Sequence, residues 1–293
     1  LKRSFVPDAQ TRQLRVLYRH RKKLINQRSR EKNRLQNILE DANIKLGSVV
    51  SDVFSKTGQA IIKHLIKGFT DPVQLSNLAK GSLVRKKSEL EKALHGRFSD
   101  HHRFMAELIM DTIDSINVLI SRIEIQIAKC SASIENDIGL LQTIPGVSHQ
   151  SAIGIVSEIG TDMTVFPSSK HLASWAGVCP GTHESAGKKK SSRVTEGNNY
   201  LKTTLIEASW AGTHTLNTHF AFKYNKLSMR RGKKKAAMAI GHDILVASYH
   251  ILRDKVPYRE PKLRREILLE RKRAEMERLE KRLEKLKTLA SSI

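Results

Sequence analysis

Isoleucines recur at alternating steps of four and three along the middle of this chain, at Ile109, Ile113, Ile116, Ile120, Ile123 and Ile127, continued by Cys130 and Ile134. A repeat averaging about 3.5 residues keeps one apolar seam facing a partner helix, which is coiled-coil geometry. It predicts a helix over about 101–136, roughly 50 Å long at the α-helical rise. A second long helix is predicted from Asp8 to about Leu46. Asp8, just after Pro7, suits an N-cap, and Leu14, Leu17, Leu24, Leu35 and Ile38 follow helical spacing. Arg21, Arg28 and Glu31 interrupt that seam, so it must be partly polar. From Ser48 to Gly96, Gly58, Gly68, Pro72 and Gly81 read as separators of shorter helices. The two long helices are expected to pair as an antiparallel hairpin with the short helices at its tip. Pairing across a dimer is the alternative.

From about Gly139 to Arg259 the pattern changes to shorter apolar runs among glycines, with both tryptophans, Trp175 and Trp210. Past Pro261 the chain reads as one charged helix with a second heptad pattern. Leu269, Met276, Leu283 and Ala290 lie seven apart, as do Leu279, Leu286 and Ile293. This tail suits association with another chain, or a single solvated helix supported by i,i+4 charge pairs. The expected fold is therefore mainly α. It has an antiparallel coiled-coil hairpin region over 1–137, a compact helical domain with a helix-hairpin-helix element over 138–259, and a charged C-terminal helix over 260–293.

Charge adds a partner to this picture. The 293 residues carry a formal net charge of +23. Each phosphate neutralised by Lys or Arg releases a condensed counterion, so a nucleic acid is the expected partner. An ordinary solvated basic surface is the bland alternative. Cys130 and Cys179 have no metal or disulfide spacing, and a reduced, cytoplasmic setting is expected. No run of about 18 apolar residues exists, so no membrane span is expected. The opening Leu1-Lys2-Arg3-Ser4-Phe5 has no apolar signal region behind its charges.

Four motifs carry candidate chemistry. Two helical patterns meet at Ile144-Pro145-Gly146-Val147, with Ala152 where they would cross. A turn of this kind, at Pro145, Gly146 and Val147, offers backbone N–H groups and a helix N-terminus to a phosphate. The usual second glycine is Ser148 here, and a turn that merely packs is the alternative. The second motif runs His183-Glu184-Ser185-Ala186-Gly187-Lys188-Lys189-Lys190-Ser191-Ser192-Arg193. A hydroxyl in a small-residue turn, beside an imidazole and a carboxylate and before Lys188, Lys189, Lys190 and Arg193, has what a serine attacking a phosphodiester needs: access, activation and cations. A solvated basic turn has the same composition. The third, Glu196-Gly197-Asn198-Asn199, suits a helix cap. The fourth clusters Arg230, Arg231, Lys233, Lys234 and Lys235 around Gly232 at a helix start, where cations oppose the helix dipole unless an anion is nearby. No metal site emerges, since His101-His102 near Asp111 and Asp114 matches no ligand spacing.

In order along the chain, Ile144 to Val147, Glu158 to Met163, Phe166-Pro167-Ser168, His171 to Gly177, Cys179-Pro180-Gly181, Glu184 to Lys188, Gly197-Asn198, Arg231 to Lys234 and Ala247 to Tyr258 resemble the transposase domain of the insertion-sequence 110 family, the Piv/MooV-like transposases. Arg30 to Gln36, Asp41 to Leu46 and Gly96 to Phe104 resemble the coiled-coil region joining that family's two domains. The resemblance covers nearly everything from Ser4 to Arg259. It implies DNA strand exchange with a serine nucleophile at Ser185, in a dimer or tetramer held through coiled coils. It also implies a guide RNA transcribed from the element. The family carries an N-terminal RuvC-like domain whose DEDD acids bind Mg²⁺. Nothing in this chain matches those acids, so no cofactor is expected on it and a truncated transposase is the expectation. The alternative is a regulatory remnant that binds DNA, RNA or full-length transposase without catalysis.

Overall fold

The computed structural model describes residues 5–179, 183–185, 188–191, 194–261, 276–280 and 282, with the backbone alone at 183–185 and 188–191. The chain is mainly α. Its helices are α1 (Ala9–Asp41), α2 (Leu46–Val49), α3 (Lys56–Ile66), α4 (Pro72–Ser76), α5 (Lys87–Ala93), α6 (Asp100–Ser131), α7 (Glu135–Gln142), α8 (His149–Ile159), α9 (Ser169–Ala176), α10 (Asn199–Thr213), α11 (His219–Arg231) and α12 (Lys233–Asp254), with two short strands between α9 and α10. It divides into two compact units, Val16–Cys130 and the combination of Leu1–Arg15 with Ser131–Ile293. This partition sets the border at Cys130/Ser131 and joins the first residues to the C-terminal part, a different line from the one drawn on the sequence at 137.

In the unit Val16–Cys130, α1 and α6 run antiparallel, as three polar pairs along them show. Arg21 donates two hydrogen bonds to Glu124 Oε1 at 2.8 and 2.6 Å, Arg28 Nη1 donates to Asn117 Oδ1 at 2.9 Å, and His102 Nε2 meets Asp41 Oδ2 at 2.9 Å. One partner's number rises as the other's falls. Between these pairs lie apolar steps, Leu24 with Ile116 and Ile120, then Leu35 and Leu39 in a cluster with Ile109 and Ile113. The two arginines that interrupt the α1 seam are thus answered across the pair, and such polar steps fix register because a slip would strand them. Leu17 and Ile38 are only half-buried, and Tyr18 and Leu39 take the fully buried places beside them. The short helices α2 to α5 close over Ile61, Ile62, Leu65 and Leu90 in the same cluster. Gly58 does not separate helices, as its type suggested, but lies inside α3. A Cβ there would come within 2.0 Å of Val53 O.

The helix predicted to run through Ile134 stops at Ser131, and a 3₁₀ turn (Ala132–Ile134) precedes α7. Ser-Ala-Ser offers little side-chain packing to continue a heptad, and short 3₁₀ pieces commonly end α-helices. In the other unit, α8 is buried on every side from Ala152 to Ile159, and α12 buries Ile240, Ile244, Leu245, Ile251 and Leu252 against its neighbours. Gly241 lets α12 approach α10, with a Cβ there only 3.4 Å from Leu205 Cβ. The segment before α1 is fixed to this unit by Phe5, whose ring lies 4.9 Å from Phe166 and 5.4 Å from Trp175. Asp8 caps α1 as its position predicts, accepting from Thr11 N at 2.8 Å and Thr11 Oγ1 at 2.7 Å. Of the charged tail, residues 276–280 and 282 are helical, with Met276 and Leu279 exposed. Its other heptad positions, Leu269, Leu283, Leu286, Ala290 and Ile293, lie outside the described residues.

Candidate active site

The chain between α9 and α10 leaves and returns through one tight backbone approach. Gly177 ends α9 in the left-handed region, φ 69°, and a Cβ on it would meet Thr195 O at 2.7 Å. A Cβ on Gly197 would meet Ala176 O at 2.5 Å and Gly177 N at 2.6 Å. Both glycines are therefore needed where the two ends of residues 178–196 touch. Within that excursion β1 (His183–Ser185) pairs antiparallel with β2 (Lys188–Ser191). Ser185 stands opposite Lys188 in register, Glu184 opposite Lys189 and His183 opposite Ser191, with an irregularity between His183 and Glu184. The sequence suggested a loop here, because three consecutive lysines have weak strand preference. The structure makes Ser185 and Lys188 cross-strand neighbours at the last pair. Lys190 also lies on β2, and Arg193 lies outside the described residues.

Beneath the closed base sits a buried polar network. Glu158, on the last turn of α8, is fully buried. Its carboxylate accepts from Asn198 Nδ2 at 2.6 Å and lies 3.3 Å from Arg15 Nε. The Arg15 guanidinium also donates to Ser157 O at 3.1 Å and Glu158 O at 2.7 Å. It thereby satisfies carbonyls that the end of α8 leaves without helical partners. Asn198 in turn caps α10, its Oδ1 accepting from Leu201 N at 3.1 Å. One carboxylate thus joins α1, the end of α8 and the start of α10, next to Gly197. Its signal was visible as a lone charge in the apolar run Ala152 to Ile159. Its role was not, because Arg15 is distant in sequence.

The turn at Pro145, Gly146 and Val147 faces α10. Gly146 has φ 86°, and a Cβ on it would lie 2.2 Å from Gly212 N and 2.4 Å from Ala208 O. Gly212 is matched to it, since a Cβ there would meet Pro145 O at 2.7 Å. Val147 is buried, and its N–H donates to Ile144 O at 3.0 Å. The close approach that glycine permits here is to another helix. Ser148, in place of the usual second glycine, caps α8 by accepting from Ser151 N at 3.2 Å. Arg230 and Arg231 end α11, Lys233, Lys234 and Lys235 begin α12, and all five are exposed around Gly232 at φ 82°.

A further cluster gathers where α11 and α12 meet residues 258–260. Lys223 Nζ donates to Asp243 Oδ2 at 2.5 Å, and His242 Nδ1 lies 3.6 Å from Asp243 Oδ1. Burial works against the charged Asp243 carboxyl, but the bonds from His242 and Lys223 hold it below the usual range. Burial, with Glu260 and Asp243 nearby, pushes the Tyr258 phenol well above its usual range, so it stays protonated. Glu260 accepts from His219 N. His250 is exposed, its ring against Tyr249. Burial also raises the Cys179 thiol, and neither Cys130 nor Cys179 is in a disulfide. Among the described residues no three of His, Cys, Asp and Glu come together to hold a metal ion. None of their helices is long and apolar enough to cross a membrane.

The family model of the IS116/IS110/IS902 transposases matches residues 139–225, from α7 through the strand pair into α11. Residues 139–225 are thus similar to the transposase domain of this family. A second transposase model, the DEDD type of the IS110 group, matches residues 1–44. The pilin gene-inverting protein of Moraxella bovis is 33% identical over 138 residues, 45% of this chain and 42% of that protein. The transposase for insertion sequence element IS1111A of Coxiella burnetii is 28% identical over 139 residues, 45% of this chain and 37% of that protein. The matched region thus spans less than half the length of either relative. The residues matched by the first model include Ser185, Glu158, Asn198 and the Gly146–Gly212 pair.

Proposed function

We propose that this chain recombines DNA with Ser185 as the nucleophile of its transposase domain. The observation that carries the reading is the strand pair itself, which sets Ser185 opposite Lys188 on an excursion closed by Gly177 and Gly197. In the step proposed, the Ser185 Oγ attacks a phosphodiester phosphorus. One P–O bond breaks as the new one forms, the serine hydroxyl gives up its proton, and the displaced sugar oxygen gains one and leaves as a hydroxyl. The reverse attack by a hydroxyl of the other strand reseals the backbone and frees the serine. Cations at Lys188, Lys189, Lys190 and Arg193 answer the charge gathered on the phosphate during displacement. The exposed corner of Arg230, Arg231, Lys233, Lys234 and Lys235 holds flanking phosphates. Pro145, Gly146 and Val147 are assigned to packing, because Gly146 lies on α10. The acidic nuclease partner, its Mg²⁺, a guide RNA and a coiled-coil dimer or tetramer belong to the proposal through the family alone, and no step above is routed through a metal. The name of the Moraxella relative, a gene-inverting protein, supports recombination as the class of reaction.

The test is a nicked DNA substrate carrying an element end, which traps a covalent protein–DNA species. Wild type is expected to form it, and Ser185→Ala to lose it while its binding affinity stays within about twofold of wild type. An adduct that survives Ser185→Ala overturns the serine assignment. Tight binding by wild type with no adduct and no strand exchange favours the regulatory reading instead.

A further inference from the structure

The function proposed above uses nothing between residues 45 and 97, where ten Lys and Arg accompany four Asp and Glu. Three of those cations converge. Lys56 at the head of α3, and Lys80 and Lys86 bracketing the 3₁₀ turn before α5, line one cavity of about 460 Å³. All three are exposed. No ion pair among the described residues engages them. Ser51, Ser55 and Ser82 add hydroxyls to the same wall, and no acid lines it. The adjacent Asp52 carboxylate is engaged by Phe54 N at 2.8 Å. The wall is held in place by Thr57, a buried residue whose Oγ1 accepts from Lys80 N at 3.1 Å, so α3 and the 3₁₀ turn are tied together beside the lysines.

A concave site with ammonium groups and hydroxyls around it and no acid in its lining is chemically complementary to a phosphate. Lysine supplies charge, and serine supplies directed donors, the same groups that contact phosphate oxygens at nucleic-acid interfaces. We propose that this cavity takes a phosphate of a nucleic-acid backbone. It is a binding site carried by the helical-hairpin unit and separate from the basic positions of the transposase domain. The inference rests on nucleic acid being the partner, and not on Ser185 being the nucleophile. Duplex DNA and single-stranded RNA share this phosphate chemistry, so both enter the test.

The experiment compares two triple variants of the full chain. Lys56→Ala, Lys80→Ala and Lys86→Ala together empty the cavity of charge. Lys63→Ala, Lys67→Ala and Lys92→Ala remove equal charge from exposed positions of the same unit outside it. Affinity for a DNA duplex and for an RNA strand of equal length is measured from about 50 to 200 mM salt. The cavity triple is expected to lower the slope of log K against log salt by about 0.9 on duplex DNA, for the one phosphate no longer neutralised. The other triple is expected to change it by less than about 0.3, a third of what one phosphate contributes. A weakening on one nucleic acid alone identifies the source of the phosphate, and a weakening on both assigns the shared chemistry. Two triples that behave alike on both overturn the inference while leaving the proposed function standing. A wild type that binds neither overturns both.

Discussion

A buried carboxylate left without its guanidinium costs more than an apolar side chain in the same place, and this decides what removing Arg15 does to Glu158. Arg15→Ala leaves Glu158 at full burial with Asn198 still donating to it, and also strips Ser157 O and Glu158 O of their guanidinium donor. The expected destabilisation is about 3–5 kcal/mol, the range for breaking a buried pair from one side. It is read as a lowered urea midpoint with an unchanged slope. Glu158→Gln is expected to cost less, since an amide carbonyl still accepts from Asn198. Equal effects for the two would mean that the charge itself matters little. Asp8 gives a prediction with a pH signature. Its carboxyl is held below the usual range, first by the Thr11 N–H and then by the Thr11 hydroxyl. A depressed folded pKa makes the cap's contribution present above the unfolded value near 3.8 and lost as pH falls through the lower folded value. Asp8→Ala should therefore destabilise by about 1 kcal/mol near neutral pH. That gap should close in strongly acidic solution; one that stayed constant would remove the carboxylate from the explanation.

At the scale of elements, the apolar seams were the legible part. The isoleucines of α6 from Ile109 to Ile120, with Ile127, are buried as their spacing requires, and Ile123 is half-buried. The polar breaks in the α1 seam pointed to partners without naming them, because Glu124 and Asn117 are fixed only once the two helices are in register. A double-mutant cycle on Arg21 and Glu124 should return a coupling of about 0.5–1 kcal/mol, given that Glu124 is partly exposed. A coupling of zero would mean that the apolar steps alone set the register. The strand pair holding Ser185 was the least legible element. Lysines carry no strand signal of their own, and what makes the pair possible is the distant meeting of Gly177 with Gly197. Gly146 was legible as a turn residue but not as a packing one, since only the folded chain brings Gly212 against it. Gly146→Ala is expected to cost well over about 2 kcal/mol, because it forces both a positive φ and a backbone overlap.

Across the molecule, the surplus of positive charge is not one uniform field. Arg15, Arg21 and Arg28 are engaged inside the protein, whereas Arg230, Arg231, Lys233 and Lys234 stand exposed at one helix corner. Substituting the first three should lower stability with little change in the salt dependence of nucleic-acid binding. Replacing the last four by Ala should do the reverse, reducing the slope by about one for each phosphate left without its cation. A similar slope change from both sets would mean that net charge, and not position, governs binding. The closed base at Gly177 and Gly197 has a consequence for how such a domain can change over time. Once the ends of a segment are pinned, each doubling of its length costs only about 0.6 kcal/mol in chain entropy. Residues between 178 and 196 that flank the strand pair can then be lengthened, shortened or rewritten while α9 and α10 keep their places. Those flanks are free to vary without asking the core to refold.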